Sequence, residues 1–439
     1  MRTAFKHSLA IALLALPVFA ASVPTAKPEE VGLSSERLQR IDQMIQRRIA
    51  AGDMTGAVTI VARRGKVAHL NAQGVMDLDN KQPITNASMF RIASMTKPVV
   101  GVAVMMLVEE GKLRINDSVS RYIPEFRGMR VAVAEGGGPG AAKGGPGAAK
   151  GGPGAAKGGP GAAKGGAPAA PQFYTVPAIR EITIKDLLTH VSGLGSGPMG
   201  DSVIAKVARK EGDKLADYIP RLGTTVLEFQ PGSRWTYSPG AGFETLGRII
   251  EIASGMPLDQ FLRQRIFDPL GMKDITFWPT DPQWTRVATV YTRGANGLTK
   301  SSQANDTLSR GVYFRGSGGL FSTAEDYIPI GVMLANGGQL NGKRLLSRKT
   351  VEMMTAAHVP DTLPGRGAGE GYGLSVRVVT DHTKRGAMLS DGTYGWSGAH
   401  GTHFFVDPKE GLVGVLMVQT SNAEVNRDFE DLVAQSVIE

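Results

Sequence analysis

The order of elements along the chain predicts an α+β fold: an antiparallel sheet flanked by helices, built from both chain ends, with a mainly helical domain inserted between them. Three observations lead there. A β-hairpin pattern lies near the N-terminus, helical periodicity dominates the middle, and the C-terminal part turns strand-rich before a last helix. The expected boundaries are 21–120 with 310–439 for the sheet domain and 121–309 for the helical domain, with 1–20 set apart as a signal peptide.

Residues 1–6 carry Arg2 and Lys6 and precede an apolar run over 9–19, with small residues Val18 and Ala20 at alternate positions. This is the layout of a secretory signal peptide cleaved after Ala20, and the run falls well short of the roughly 20 apolar residues that span a bilayer. A periplasmic or secreted protein without a membrane span is expected. Residues 34–51 then place Leu38, Ile41, Ile45 and Ile49 on one helical face, closed by Gly52. Residues 57–62 and 67–72 flank Arg63-Arg64-Gly65 as a hairpin. An apolar helix over 95–110 stops at Gly111, and helices follow at 182–190, 243–253 and 258–267. Strands are expected at 373–379, 402–406 and 412–419, and a helix at 427–437.

The 439 residues include no cysteine, 57 glycines and a formal net charge of +9. Without thiols, disulfides, cysteine metal sites and cysteine nucleophiles are excluded. Residues 137–164 read GGPGAAK four times, the units ending in Lys143, Lys150, Lys157 and Lys164, and fifteen of the 57 glycines fall within 136–166. The period is neither that of collagen nor of a coiled coil, so 136–166 is expected to be a solvated loop of the helical domain. Its lysines would suit electrostatic association with an anionic cell wall. Setting those four lysines, Arg2 and Lys6 aside takes the charge from +9 to +3. No basic stripe falls on a folded element, so no nucleic-acid partner is expected.

The sharpest chemical feature is Ser94-Met95-Thr96-Lys97 at the start of the apolar helix. Residues three apart on a helix are neighbours, so Ser94 and Lys97 can share a face. The helix dipole favours a developing alkoxide on Ser94 and opposes a proton on Lys97. A lysine made neutral by burial could accept the Ser94 proton. Trp235-Thr236-Tyr237-Ser238-Pro239-Gly240 sets a phenol at a turn before a helix, a candidate proton relay. Gly395-Trp396-Ser397-Gly398-Ala399-His400-Gly401-Thr402 leads into a strand, and its glycines permit the close backbone approach of an oxyanion-stabilising edge.

Other motifs point nowhere. No G-x-S-x-G elbow occurs, and Gly337 to Lys343 has phosphate-loop spacing but Arg344 in place of Ser or Thr. His400 and His403, three apart in an expected strand, would face opposite ways and could not share a metal. His190 reads as a cap on helix-end carbonyls. Neither metal nor cofactor is expected.

Taken together, the three blocks resemble the serine β-lactamase-like hydrolases: class C β-lactamases, D-alanyl-D-alanine peptidases and the family VIII carboxylesterases. Residues 182–194 (ITIKDLLTHVSGL), 268–272 (DPLGM) and 318–327 (GGLFSTAEDY) extend the resemblance. It implies a two-domain fold and acyl transfer through an acyl-serine, with Ser94 as nucleophile, Lys97 as general base and Tyr237 as second base and leaving-group acid. It further implies an oxyanion hole from the backbone N–H groups of Ser94 and Ala399, and a pocket bordered by Trp396, Gly398 and His400.

The lactamases and peptidases carry Tyr-x-Asn and Lys-Thr-Gly, where this chain has Pro239 as the third residue and Trp396-Ser397-Gly398. A lysine would attract a substrate carboxylate, whereas Trp396 offers an apolar wall. The pattern is therefore closer to the esterases, with a small-molecule ester as the expected substrate and weak turnover of a β-lactam as the alternative on the same site. The rival of another class is a non-catalytic cell-wall binding protein that kept the fold.

Overall fold

The structure, a computed structural model, describes residues 23–135, 172–302 and 310–439. The expected signal peptide and the repeat loop lie outside the described residues.

Ser34 accepts the Arg37 N–H and caps α1 (Ser35–Ala50), which buries Leu38, Ile41, Met44 and Ile45. Strands β1 (Gly56–Arg63) and β2 (Lys66–Gly74) pair antiparallel. Arg64 and Gly65 between them both have positive φ, 51° and 77°, as the tight turn of a twisted hairpin requires. Helix α2 (Thr96–Glu109) is buried at every residue from Thr96 to Leu107, which is why its sequence is apolar all round rather than striped. Strands β3 (Arg130–Ala134) and β4 (Phe173–Pro177) pair antiparallel, so the described residues on either side of the repeat are neighbours.

Thr183 and Asp186 form a capping box on α3 (Ile184–Leu188). Helices α4 (Leu215–Leu222) and α5 (Ala241–Ser254) follow, α5 ending at Gly255 with φ 72°. The predicted helix over 258–267 begins regularly and ends in a π turn, Arg263–Phe267. Helix α6 (Ala324–Ala335) is capped by Thr323. It precedes β5 (Glu370–Tyr372), β6 (Arg377–Val379), β7 (Tyr394–Ser397), β8 (His403–Asp407), β9 (Leu412–Met417) and α7 (Ala423–Gln435).

The principal sheet has seven strands in the order β5-β6-β7-β8-β9-β1-β2, every neighbouring pair antiparallel. Both ends of the chain therefore meet in it, the last strand in sequence, β9, lying beside the first, β1. Both faces are covered: α6 packs on β9, β1 and β8, while α1 and α7 pack together on the other side. Ile60 and Val61, adjacent on β1, accordingly enter different hydrophobic clusters. Helix α2 packs against α5 between the sheet and the helical part. Among the described residues no helix is long and apolar enough to cross a membrane.

Three local expectations are corrected. Residues 373–379 are not one strand: the Gly373 N–H donates to the Val376 carbonyl and Ser375 has φ 74°, which makes a turn between β5 and β6. His400 lies outside a strand, because Gly398 N–H donates to Thr402 O and Gly401 has φ 95°, which closes a turn ahead of β8. Helix α7 starts at Ala423 rather than 427, where Asn422 caps it by accepting the Glu424 N–H.

Candidate active site

Ser94 sits in the 3-10 turn Ala93–Met95 that leads into α2. Residues from the 318–327 block hold this turn in place. The Ile92 N–H donates to Leu320 O (3.1 Å), the Leu320 N–H to Thr96 Oγ1 (3.2 Å) and the Tyr327 hydroxyl to Met95 O (2.8 Å). Ala93 has φ 43°, a left-handed conformation unfavourable for a residue with a Cβ, and these bonds over-determine it.

Lys97 has no exposed surface. Its Nζ lies 3.2 Å from Ser94 Oγ, 2.9 Å from Pro239 O and 2.6 Å from Ser317 O. Burial lowers its pKa below the ordinary lysine value; Tyr237 and Glu244 oppose that shift and Arg315 adds to it. An uncharged amine with its two hydrogens on the two carbonyls presents its lone pair to Ser94. From the other side the Tyr237 hydroxyl donates to Ser94 Oγ at 2.6 Å. The serine, the lysine and the tyrosine singled out in the sequence thus meet at one oxygen.

Tyr237 is itself supported by His190, which the sequence reading set aside as a carbonyl cap. Its ring centroid is 4.7 Å from that of Tyr237, and its Nδ1 accepts the Ser238 N–H at 3.2 Å. Burial, the largest cause, holds its pKa well below the ordinary histidine value, and an Nδ1 that accepts the Ser238 N–H leaves the proton of a neutral ring on Nε2. Trp396, Trp235 and Tyr372 continue the wall: ring centroids are 5.6 Å apart for Tyr237 and Trp396, 5.1 Å for Tyr372 and Trp396, and 5.7 Å for Trp235 and Tyr372. The Arg366 guanidinium stacks on Trp235, 4.4 Å from its centroid.

Gly398 follows β7 and lies against the segment leading to Ser94. A Cβ there would fall 2.4 Å from Ile92 O and 2.1 Å from Thr402 Oγ1. Ala399 follows as an exposed residue of the turn, and His400 stands beyond it, partly buried, its pKa lowered to about 4 by burial and by the Arg91 charge. Of the expected pocket residues, the structure brings Trp396 against Tyr237 and Gly398 against Ile92. His403 is elsewhere: it joins Ser397 Oγ (2.8 Å) to Glu430 Oε1 (2.9 Å) on the sheet face opposite Trp396.

Sequence reasoning missed His190 and the Ser317 carbonyl. His190 lies within the 182–194 block quoted above, and that membership was its one signal. A backbone carbonyl has no sequence signal at all.

A protein-family profile described as Beta-lactamase matches residues 41–437. The chain is 28% identical over 407 residues to Esterase EstB of Burkholderia gladioli, covering 87% of this chain and 90% of that protein. It is also 28% identical over 438 residues to a protein of Salmonella agona (strain SL483) provisionally named a D-alanyl-D-alanine carboxypeptidase, covering 92% and 88%. Among solved structures, "EstCE1, a hydrolase with promiscuous acyltransferase activity" superposes with a TM-score of 0.71 at 24% identity, covering 92% of this chain and 99% of that one. That last likeness concerns the fold.

Proposed function

The chain belongs to the beta-lactamase family of serine hydrolases, and on that premise we propose that it cleaves carboxylic esters through an acyl-serine on Ser94, after export. The observation that carries the reading is the convergence of Lys97 Nζ and the Tyr237 hydroxyl on Ser94 Oγ.

In this reading the Lys97 amine takes the Ser94 proton as Oγ bonds to the ester carbonyl carbon. The carbonyl oxygen gathers negative charge against the backbone N–H groups of Ser94 and Ala399. As the tetrahedral intermediate collapses, the bond to the alcohol oxygen breaks, and Tyr237 supplies that oxygen with a proton, recovering one from Lys97. Water then attacks the acyl-serine, losing a proton to the same pair, and the acid leaves with Ser94 restored. Trp396 forms the apolar side of the pocket where the peptidase pattern carries lysine, which favours a neutral acyl or alcohol group over a carboxylate. The similarity to EstB supports the same preference. Turnover of a β-lactam or of a D-alanyl peptide on the same residues is the alternative.

Hydrolysis of a short-chain nitrophenyl ester by the wild type and by Ser94→Ala tests the proposal. Loss of turnover in Ser94→Ala is expected, and equal rates would rule out this site. A chromogenic cephalosporin assayed in parallel should turn over more slowly than the ester; the reverse order would favour the lactamase reading.

A further inference from the structure

Glu244, in the first turn of α5, is a buried carboxylate that the acyl-transfer steps above leave unused. At a helix N-terminus a glutamate is ordinarily solvated and complements the dipole. Here it is turned inward. The Tyr313 hydroxyl donates to its Oε2, the Ser317 hydroxyl donates to its Oε1 at 2.8 Å, and Arg315 Nε lies 3.6 Å from the same Oε1. Tyr313 is in turn covered by the Arg209 guanidinium, 4.3 Å from its ring centroid, and by the Tyr218 ring at 6.1 Å. A carboxylate removed from water at this density of partners is retained only where its bonds are satisfied, and here each bond fixes a part of the 313–317 loop.

Ser317 is the residue whose carbonyl receives Lys97 Nζ at 2.6 Å. Its hydroxyl and its carbonyl therefore point to the two sides of one short relay, Glu244 to Ser317 to Lys97. Of the three neighbours of Nζ, the Pro239 carbonyl is fixed by the turn before α5 and Ser94 by the start of α2. The Ser317 carbonyl belongs to a turn closed by the Gly318 and Gly319 N–H groups on the Arg315 carbonyl, and the Ser317 hydroxyl bond to Glu244 is the side-chain restraint that ties this turn to α5.

We propose that Glu244 is a positioning residue for Lys97: by holding the Ser317 hydroxyl it sets the Ser317 carbonyl, which in turn aims the lysine lone pair at Ser94. The inference rests on the reading of Lys97 as the base. The charge has a second consequence. Lys97 is faced by Tyr237, Glu244 and Arg315, and by the ring of His190; among these Tyr237 and, after it, Glu244 favour the protonated amine. The carboxylate thus orients the base and limits how far its pKa falls.

Two substitutions separate the effects. Glu244→Gln keeps an acceptor for Ser317 and removes the charge, so the acid limb of the pH profile of kcat/KM should move down by about half a pH unit or more, with kcat on the plateau reduced only a few-fold. Ser317→Ala keeps the charge and cuts the link, so kcat should fall about tenfold with KM nearly unchanged and the limb in place. The profiles are read on the nitrophenyl ester and, independently of any substrate, as the rate at which a serine-reactive phosphonate labels Ser94, followed by peptide mass mapping. Thermal melting checks that each variant is folded. An unmoved acid limb in Glu244→Gln, or wild-type kcat in Ser317→Ala, overturns the proposal. Absence of Ser94 labelling in the wild type would instead overturn the reading of Ser94, and this inference with it.

Discussion

His190 and Tyr237 form a fixed pair across two loops, ring centroids 4.7 Å apart, tied through the bond from the Ser238 N–H to His190 Nδ1. The phenol that reaches Ser94 is thereby held by a residue in the left-handed region, φ 58°. Neither residue alone specifies the position of the hydroxyl. The histidine fixes the plane of the ring, and the turn fixes its reach.

Replacing that histidine should separate its two contributions. His190→Phe leaves the Ser238 N–H without its acceptor, an expected loss of about 1–3 kcal/mol, and puts a bulky residue at positive φ. His190→Asn tolerates that φ and offers a carbonyl to the same N–H, so it should melt closer to the wild type. Both should lower kcat by roughly tenfold, because neither reproduces the ring contact and the bond together. Thermal melts beside ester kinetics check this; a His190→Asn variant with wild-type kcat would show that the ring contact is dispensable.

On the proposed reading of Lys97 as the base, the pH dependence of turnover follows from its burial. Its folded-state pKa is depressed by burial, so the neutral, proton-accepting form appears at a lower pH than for a solvated lysine. kcat/KM should rise with pH through that lowered value and reach its plateau before the ordinary lysine value of 10.5. Lys97→Arg, whose guanidinium stays protonated, should abolish the plateau, with a loss of about 10³-fold or more. A pH–rate profile with stopped-time sampling checks both.

Trp396→Lys places an ammonium where the resemblance locates the lysine of the lactamases and peptidases. The buried indole packs on Tyr237 and Tyr372, so turnover of neutral esters should fall about tenfold or more. The ratio of cephalosporin to ester kcat/KM should rise, because the new charge attracts the β-lactam carboxylate. A ratio that stays level or drops would mean that Trp396 does not select substrates.

Stability rests partly on a charge cluster behind the sheet. Burial opposes ionisation of Glu430, but Arg377, the His403 bond and Arg385 outweigh it and hold its pKa well below the ordinary carboxylate value. The resulting stabilisation is present above that ordinary value and is lost as pH falls through the depressed one. Glu430→Gln leaves Arg377 and Arg385 with Glu370 as their remaining carboxylate and should cost about 1–3 kcal/mol at neutral pH. The difference from the wild type should shrink in acid, which denaturant titrations at several pH values would register.

The sequence made much of the frame legible. Residue spacing identified α1, the β1–β2 hairpin and α2, since each depends on contacts between near neighbours: the Ser34 cap, the two-residue turn and the run of apolar side chains. It failed where a tertiary contact reshaped a local pattern. The apolar residues over 373–379 looked like one strand, yet Ser375 turns to put its N–H on Leu188 O, 3.0 Å away, and the chain folds back. His400 was assigned to a strand because the turn that excludes it depends on the bond between Gly398 and Thr402.

For the site, the sequence by itself determined that Ser94 and Lys97 are neighbours, because a separation of three residues on a helix fixes their distance whatever surrounds them. It also supplied Tyr237 as a candidate, 143 residues further on from Ser94. Only the tertiary structure decided that the phenol reaches the serine, that Lys97 is closed off from water, and that His190 and Ser317 complete the group. Those outcomes depend on desolvation and on loops meeting across the fold, and a pattern of residues along the chain encodes neither until the long-range contacts are made.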